Sequence, residues 1–241
     1  MTEFVIKIRQ HKNLTDQECE QFLNLWYTCF RRKVGVQFYE KYQINDSLGA
    51  FAYVDGELVA CYNVLLFEIK GLRLALSVDT MSNGKLNRAT TKLAERLYAK
   101  LKADGIAAVV GFPNKNVINI RKKYLNWRII SEVKLRLIFR AKKKSEEYVL
   151  YGINRPRNFC FNSSRLKGRL AGFSSFGRAI HNGIIPVYIE FSARNYKGIT
   201  IPKWIIQPKY FGLVWLVENG KTSELEDMLV KNINWFFIDV P

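Results

Sequence analysis

The chain has 241 residues, 48% hydrophobic and 24% charged, the balance of a globular protein with room for one domain and a substantial extension. Lys and Arg number 38 against 21 Asp and Glu, a formal net charge of +17, which favours anionic partners: nucleic acid, a membrane surface or phosphate-rich small molecules. No apolar run reaches the roughly 18 residues of a membrane span, and the start MTEFVIKIRQ has no apolar signal core, so the expected compartment is cytoplasmic. Cys19, Cys29, Cys61 and Cys160 fall at unrelated spacings and read as buried small side chains. With His11 and His181 the only histidines, a structural zinc site or a nucleophile–histidine–carboxylate hydrolase site is hard to build, and no metal is expected. Each histidine reads as a surface or hydrogen-bonded residue.

Phe4 to Arg9 alternates like an opening strand. Thr15-x-x-Glu18 is a capping box, and Cys19, Phe22, Leu23, Trp26 and Phe30 follow at helical spacing. Val36 to Gln43 reads as a second, shorter helix. Ala50 to Asp55, the turn Asp55-Gly56 and Glu57 to Ile69 predict a hairpin, and Gly71 turns the chain into a further strand, Leu72 to Met81. Ala89, Leu93, Leu97 and Leu101 mark a helix that ends at Asp104-Gly105. Ile106 to Val110 is wholly apolar, as in a strand covered on both faces, and the helical crossover before it requires a parallel return beside Leu72 to Met81. A helix over about Asn116 to Tyr124 and a long strand from Trp127 to Phe139 complete this part.

Two stretches are strongly basic. Lys115 to Lys144 carries eleven Lys or Arg against Glu132, and Tyr148 to Ile189 has no acid at all. The charged run Lys142 to Glu147 breaks the composition, so the expected division is a core over 1–141 and an extension over 142–241 packed on it. In the extension Pro186 to Ala193 (PVYIEFSA) is expected to pair with the Trp127 to Phe139 strand and close the sheet. Ser223-x-x-Glu226 boxes a helix between strands at Leu213 to Val217 and Trp235 to Val240. The fold class is therefore α/β, a mixed sheet flanked by helices.

This order, together with LWYTCF, FAYVDGELVACYNV, VDTM, KLAERLYAKL, GFPNKN and LNW, resembles the GNAT superfamily of acyl-CoA-dependent N-acyltransferases over roughly Thr15 to Phe139. The pairing of GFPN with the later Trp127 resembles a subgroup associated with amino sugars and surface polysaccharide. The resemblance implies acetyl-CoA or another acyl-CoA as donor and a small-molecule amine as acceptor. It also implies that strands four and five splay apart, that Val78, Thr80 and Ser82 line the gap, and that the donor pyrophosphate sits at the start of the helix after strand four, where free N–H groups and the helix dipole favour an anion.

The turn at that point, Ser82-Asn83-Gly84-Lys85-Leu86-Asn87-Arg88-Ala89-Thr90, departs from the family pattern: Lys85 takes the place of an arginine, while Leu86 and Arg88 replace glycines. Three readings stay open: Lys85, Asn87 and Arg88 hold the pyrophosphate with the helix start; the donor is held differently or is a carrier-protein thioester; or the site is inactive. Counting back five residues from Trp127 to the family's tyrosine acid reaches Lys122, and Tyr124 lies about 200° further round a helix. Tyr124 is thus either the acid or a packing residue. Asp79 is the best-placed base, either partly desolvated on its strand or facing solvent. Asn114 and Asn116 either bond the pantetheine arm or cap the next helix. Arg155, Arg157 and Arg165 are candidates for an acceptor phosphate, as on a nucleotide-linked amino sugar. A rival reading is a non-catalytic module that binds nucleic acid through the basic face, although no nucleic-acid-binding motif surrounds those residues.

Overall fold

The computed structural model describes residues 4–31, 39–69, 71–139, 175, 178–179, 187–192, 199–200, 209–217, 222–232 and 234–235. The chain divides into two compact units. The first holds the described residues of 1–128 and 212–219, and the second those of 129–147, 160–211 and 220–241.

In the first unit β1 (Phe4–Gln10) leads through a short 3-10 turn, His11–Asn13, into α1 (Asp16–Phe30). The capping box forms as the sequence requires: Glu18 N–H donates to Thr15 Oγ1 at 3.2 Å and Thr15 N–H to Glu18 Oε2 at 3.0 Å. Of the expected second helix, α2 covers Glu40–Gln43, and residues 32–38 lie outside the described residues. The strands β2 (Ser47–Val54), β3 (Glu57–Ile69) and β4 (Leu72–Ser82) form an antiparallel meander. Its first turn has positive φ at both Asp55 and Gly56, the backbone that an Asp-Gly pair adopts most readily between twisted strands. After α3 (Ala89–Ala103) the chain returns as β5 (Ala108–Gly111), parallel to β4 and paired from Leu74↔Ala108 to Ser77↔Gly111. That strand was expected two residues earlier, at Ile106.

The inward stripe of α3, with Leu93, Leu97 and Leu101 all at 0% exposure, covers Ala50, Ala52, Ala60, Val64, Ala75 and Val109 of the sheet. Small residues on the sheet let the leucines approach, and each buried leucine contributes about 1.5–3 kcal/mol. On the far side of β5 runs Gly212 to Trp215 of β9 (Lys209–Trp215), antiparallel to it. The order within this unit is β1-β2-β3-β4-β5-β9.

After β5 come α4 (Lys115–Leu125) and β6 (Arg128–Phe139). In the second unit β7 (Val187–Ser192) does pair with β6, from Lys134↔Ser192 to Phe139↔Val187. The short β8 (Ile199–Thr200) pairs with β6, and β10 (Asn234–Trp235) with β7. The boxed helix is α5 (Thr222–Asn232). No helix among the described residues is long and apolar enough to cross a membrane.

Candidate active site

β4 and β5 part company at Ser77 and Gly111. Beyond that pair β4 runs on to Ser82 beside β3, while the other chain leaves through Phe112-Pro113-Asn114 into α4. Two features hold the fork. β4 bulges where Asp79 and Thr80 oppose Tyr62, because Asn63 pairs with Val78 and Cys61 with Met81. Asp79 adopts φ 42°, a left-handed conformation uncommon for a non-glycine residue, at that bulge.

The bulge is fixed from behind by a buried polar cluster. The Asp79 carboxylate takes an ion pair from Lys41 Nζ at 2.5 Å and a hydrogen bond from the Tyr42 hydroxyl, with the Lys41 and Asp79 side chains 4% and 5% exposed. Its main-chain oxygen accepts from Asn63 Nδ2 at 2.9 Å. With the Asn63 amide so oriented, its Oδ1 faces His11 Nε2 at 3.1 Å, so the ring carries its proton on Nε2. Nδ1 then accepts from the Tyr39 hydroxyl at 2.9 Å. The imidazole also stacks on Tyr42, with ring centroids 4.0 Å apart. Burial pushes the His11 pKa down to about 3, against an ordinary value of 6.5, so the ring is neutral throughout the physiological range. Burial likewise drives the Tyr39 hydroxyl and the Cys61 thiol upward, which leaves neither as an anion.

The residues expected at the site divide. Val78, Asp79, Thr80 and Ser82 lie on β4 beyond Ser77, its last β5 partner, and the Asp79 side chain is desolvated, not solvent-facing. Its carboxylate is already engaged by Lys41 and Tyr42. Ser82 Oγ accepts from Gly84 N–H at 3.2 Å and so shapes the turn. In that turn Lys85 is exposed and paired with Glu57 at 2.5 Å, and Asn87 is exposed. Arg88 occupies the N-cap of α3 with φ 53° and gives no side-chain cap. Its guanidinium lies 5.0 Å from the ring centroid of Tyr124, which is 37% exposed on α4. The structure thus brings Arg88 and Tyr124 together at the start of α3. Asn114 caps α4, its Oδ1 accepting from Val117 N–H at 3.0 Å, and Asn116 falls in the first turn of that helix. Arg155, Arg157 and Arg165 lie outside the described residues.

Sequence reasoning passed over Arg121. Val117, Arg121 and Leu125 recur at intervals of four, which puts the arginine on the inward stripe of α4, and it is 6% exposed. Its Nη2 donates to Ser77 Oγ at 3.0 Å and Thr80 Oγ1 at 3.2 Å, on the two sides of the point where the fork opens. That four-residue spacing was the available signal. Lys41, Tyr42, Asn63 and His11 left no such signal, since they come from three separate segments that meet only in the fold.

Residues 10–124 match the acetyltransferase (GNAT) domain family. That domain supports an N-acetyltransferase-like enzyme. Among solved structures, an acyl-CoA N-acyltransferase from Pseudomonas aeruginosa is similar at 16% identity over 54% of this chain and 92% of its own, with a TM-score of 0.46. Escherichia coli ElaA is similar at 15% identity over 55% of this chain and 91% of its own, with a TM-score of 0.45. Escherichia coli YhbS, solved in complex with CoA, is similar at 14% identity over 50% of this chain and 68% of its own, with a TM-score of 0.42. Among curated proteins none matches the chain.

Proposed function

We propose that the chain transfers an acyl group, acetyl in the simplest case, from a coenzyme A thioester to a primary amine. The observation that carries this reading is the fork opening beyond Ser77 and Gly111 inside the span that matches the acetyltransferase domain. Among the described residues no strand pairs with the β5-side edge of β4 beyond Ser77, and such an edge offers backbone groups to an extended arm, which suits pantetheine. The start of α3 has no side-chain cap, and Lys85, Asn87 and Arg88 stand around it, so it suits the donor's pyrophosphate. Val78, Thr80, Ser82, Asn114 and Asn116 are the further candidates for the arm.

The transfer forms a C–N bond, breaks the thioester C–S bond, takes one proton from the amine and gives one to the departing thiolate. Tyr124, exposed beside Arg88, is the proposed proton donor. Asp79 is the proposed carboxylate of the site, and its bonds to Lys41 and Tyr42 make holding the bulge open part of its role. The acceptor proposed is an amino sugar of surface-polysaccharide synthesis, in nucleotide-linked form where Arg155, Arg157 and Arg165 of the basic extension meet its phosphates. The extension over 142–241 would then serve the acceptor and the core over 1–141 the donor.

Thiol release from acetyl-CoA with a panel of amines tests the assignment. Turnover with nucleotide-linked amino sugars supports it, and turnover restricted to other amines removes the sugar. The net charge of +17 favours one second reading, a basic surface for nucleic acid. Affinity for nucleic acid that falls steeply with salt, with none for CoA, would select it.

A further inference from the structure

The Arg121 guanidinium is buried and lacks a carboxylate partner among the described residues. Its Nη2 is satisfied by Ser77 and Thr80, but Nε and Nη1 have no hydrogen-bond partner among the described residues. Buried charges in proteins are paired or answered by a ligand, because desolvating an ion without compensation is costly. The group is also held in place with care. It lies over the Trp127 ring at 4.4 Å and the Tyr62 ring at 5.4 Å from their centroids. Both rings are pinned through Tyr98, whose hydroxyl accepts from Trp127 Nε1 at 2.8 Å and bonds the Tyr62 hydroxyl at 2.7 Å. On the remaining side lies Gly111, where a Cβ would come 3.4 Å from Nη1 and 3.2 Å from both Ser77 Cβ and Trp127 Cη2. The absence of a side chain there lets the backbone at the end of β5 come close to the unanswered donors.

We infer that Arg121 is a specificity-determining residue that receives a carboxylate of the substrate at the root of the fork. The donors left over are the Nε–H on one edge of the guanidinium and the two N–H groups of Nη1 on the other, so a carboxylate oxygen takes Nη1 and its charge answers the buried cation, which a neutral carbonyl or a methyl group does not. This rests on the acyl-transfer reading for the identity of the carrier, and the carboxylate has two possible sources: the far end of a dicarboxylic acyl chain on the donor, or an acidic group on the amine acceptor.

The test is calorimetric titration of the full chain and of Arg121→Met and Arg121→Lys with CoA, acetyl-CoA, succinyl-CoA, and a carboxylated amine beside its carboxamide analogue. Circular dichroism confirms that each variant folds, and Arg121→Lys keeps a cation if the methionine variant does not. If the donor carries the group, the wild type binds succinyl-CoA at least tenfold more tightly than acetyl-CoA, and Arg121→Met loses that ratio while binding CoA as before. If the acceptor carries it, the two thioesters bind alike, and the carboxylated amine outbinds its carboxamide tenfold only in the wild type. Arg121-dependent binding of the carboxylated amine with no binding of CoA would keep the inference and remove the acyl-CoA reading. A folded Arg121 variant with the wild-type ratios in both series, or a wild type that prefers the neutral partner in both, overturns the inference.

Discussion

Lys41 Nζ lies 2.5 Å from Asp79 Oδ2, and both side chains are nearly closed to solvent. The pair joins the short helix α2 to the bulge of β4, so it couples a peripheral element to the geometry of the fork. Removing one partner leaves the other charged and buried, which costs about 3–5 kcal/mol, whereas replacing both costs much less. Lys41→Met and Asp79→Asn should each lower stability by that order in urea titrations, and the double variant should fall well short of their sum. Additive losses would show that the two groups do not depend on each other.

Acid should weaken the fold through His11. Its pKa is lowered on folding from 6.5 to about 3, so the unfolded chain binds the proton more readily. The stability present above pH 6.5 is therefore lost as pH falls from 6.5 toward 3, with a slope of up to about 1.4 kcal/mol per pH unit. His11→Gln, which cannot take up that proton, should flatten this limb in stability measurements from pH 7 to 4. An unchanged limb would assign it to carboxylates elsewhere.

The sequence reading and the structure agree most closely where the rule is local. The Thr15 box, the Asp55-Gly56 turn and the four-residue beat of Leu93, Leu97 and Leu101 each specify their own backbone, and those elements stand where expected. The crossover from Met81 to Ile106 fixed a parallel return by chain length alone. What was not legible depends on distant segments. Gly212 to Trp215 lies beside β5 although about a hundred residues separate them, and no pattern in GLVW names its neighbour. The polar cluster behind Asp79 joins His11, Lys41 and Asn63 in the same non-local way. Arg121 was overlooked for another reason: an arginine among lysines in a basic stretch reads as solvated surface unless its helical phase is counted.

Gly49 makes room for that polar cluster. A Cβ there would come within 2.4 Å of Phe51 Cζ and 2.8 Å of Asn63 Oδ1, and Phe51 and Asn63 are buried at 1% and 0% exposure. Gly49→Ala must therefore displace one of them, at a cost of about 1–3 kcal/mol. Thermal unfolding should show the loss, and a variant as stable as the wild type would mean that Phe51 moves without resistance.

At the other end of the fork, charge should matter to donor affinity. Lys85→Ala with Arg88→Ala removes the cations beside the start of α3, and CoA should bind more weakly by about 1–3 kcal/mol, the scale of charged hydrogen bonds. The backbone N–H groups of α3 remain, so binding should be reduced and not abolished. Unchanged affinity would move the pyrophosphate away from this turn.

The most direct measurement is amide hydrogen exchange with and without acetyl-CoA. Binding in the fork should slow exchange at Val78 to Ser82, where β4 runs on past its last β5 partner, and at the start of α3 near Arg88 to Thr91, while the paired residues Leu74 to Ser77 change little. Protection confined to other segments, or none at saturating acetyl-CoA, would contradict the placement of the donor and with it the proposed function.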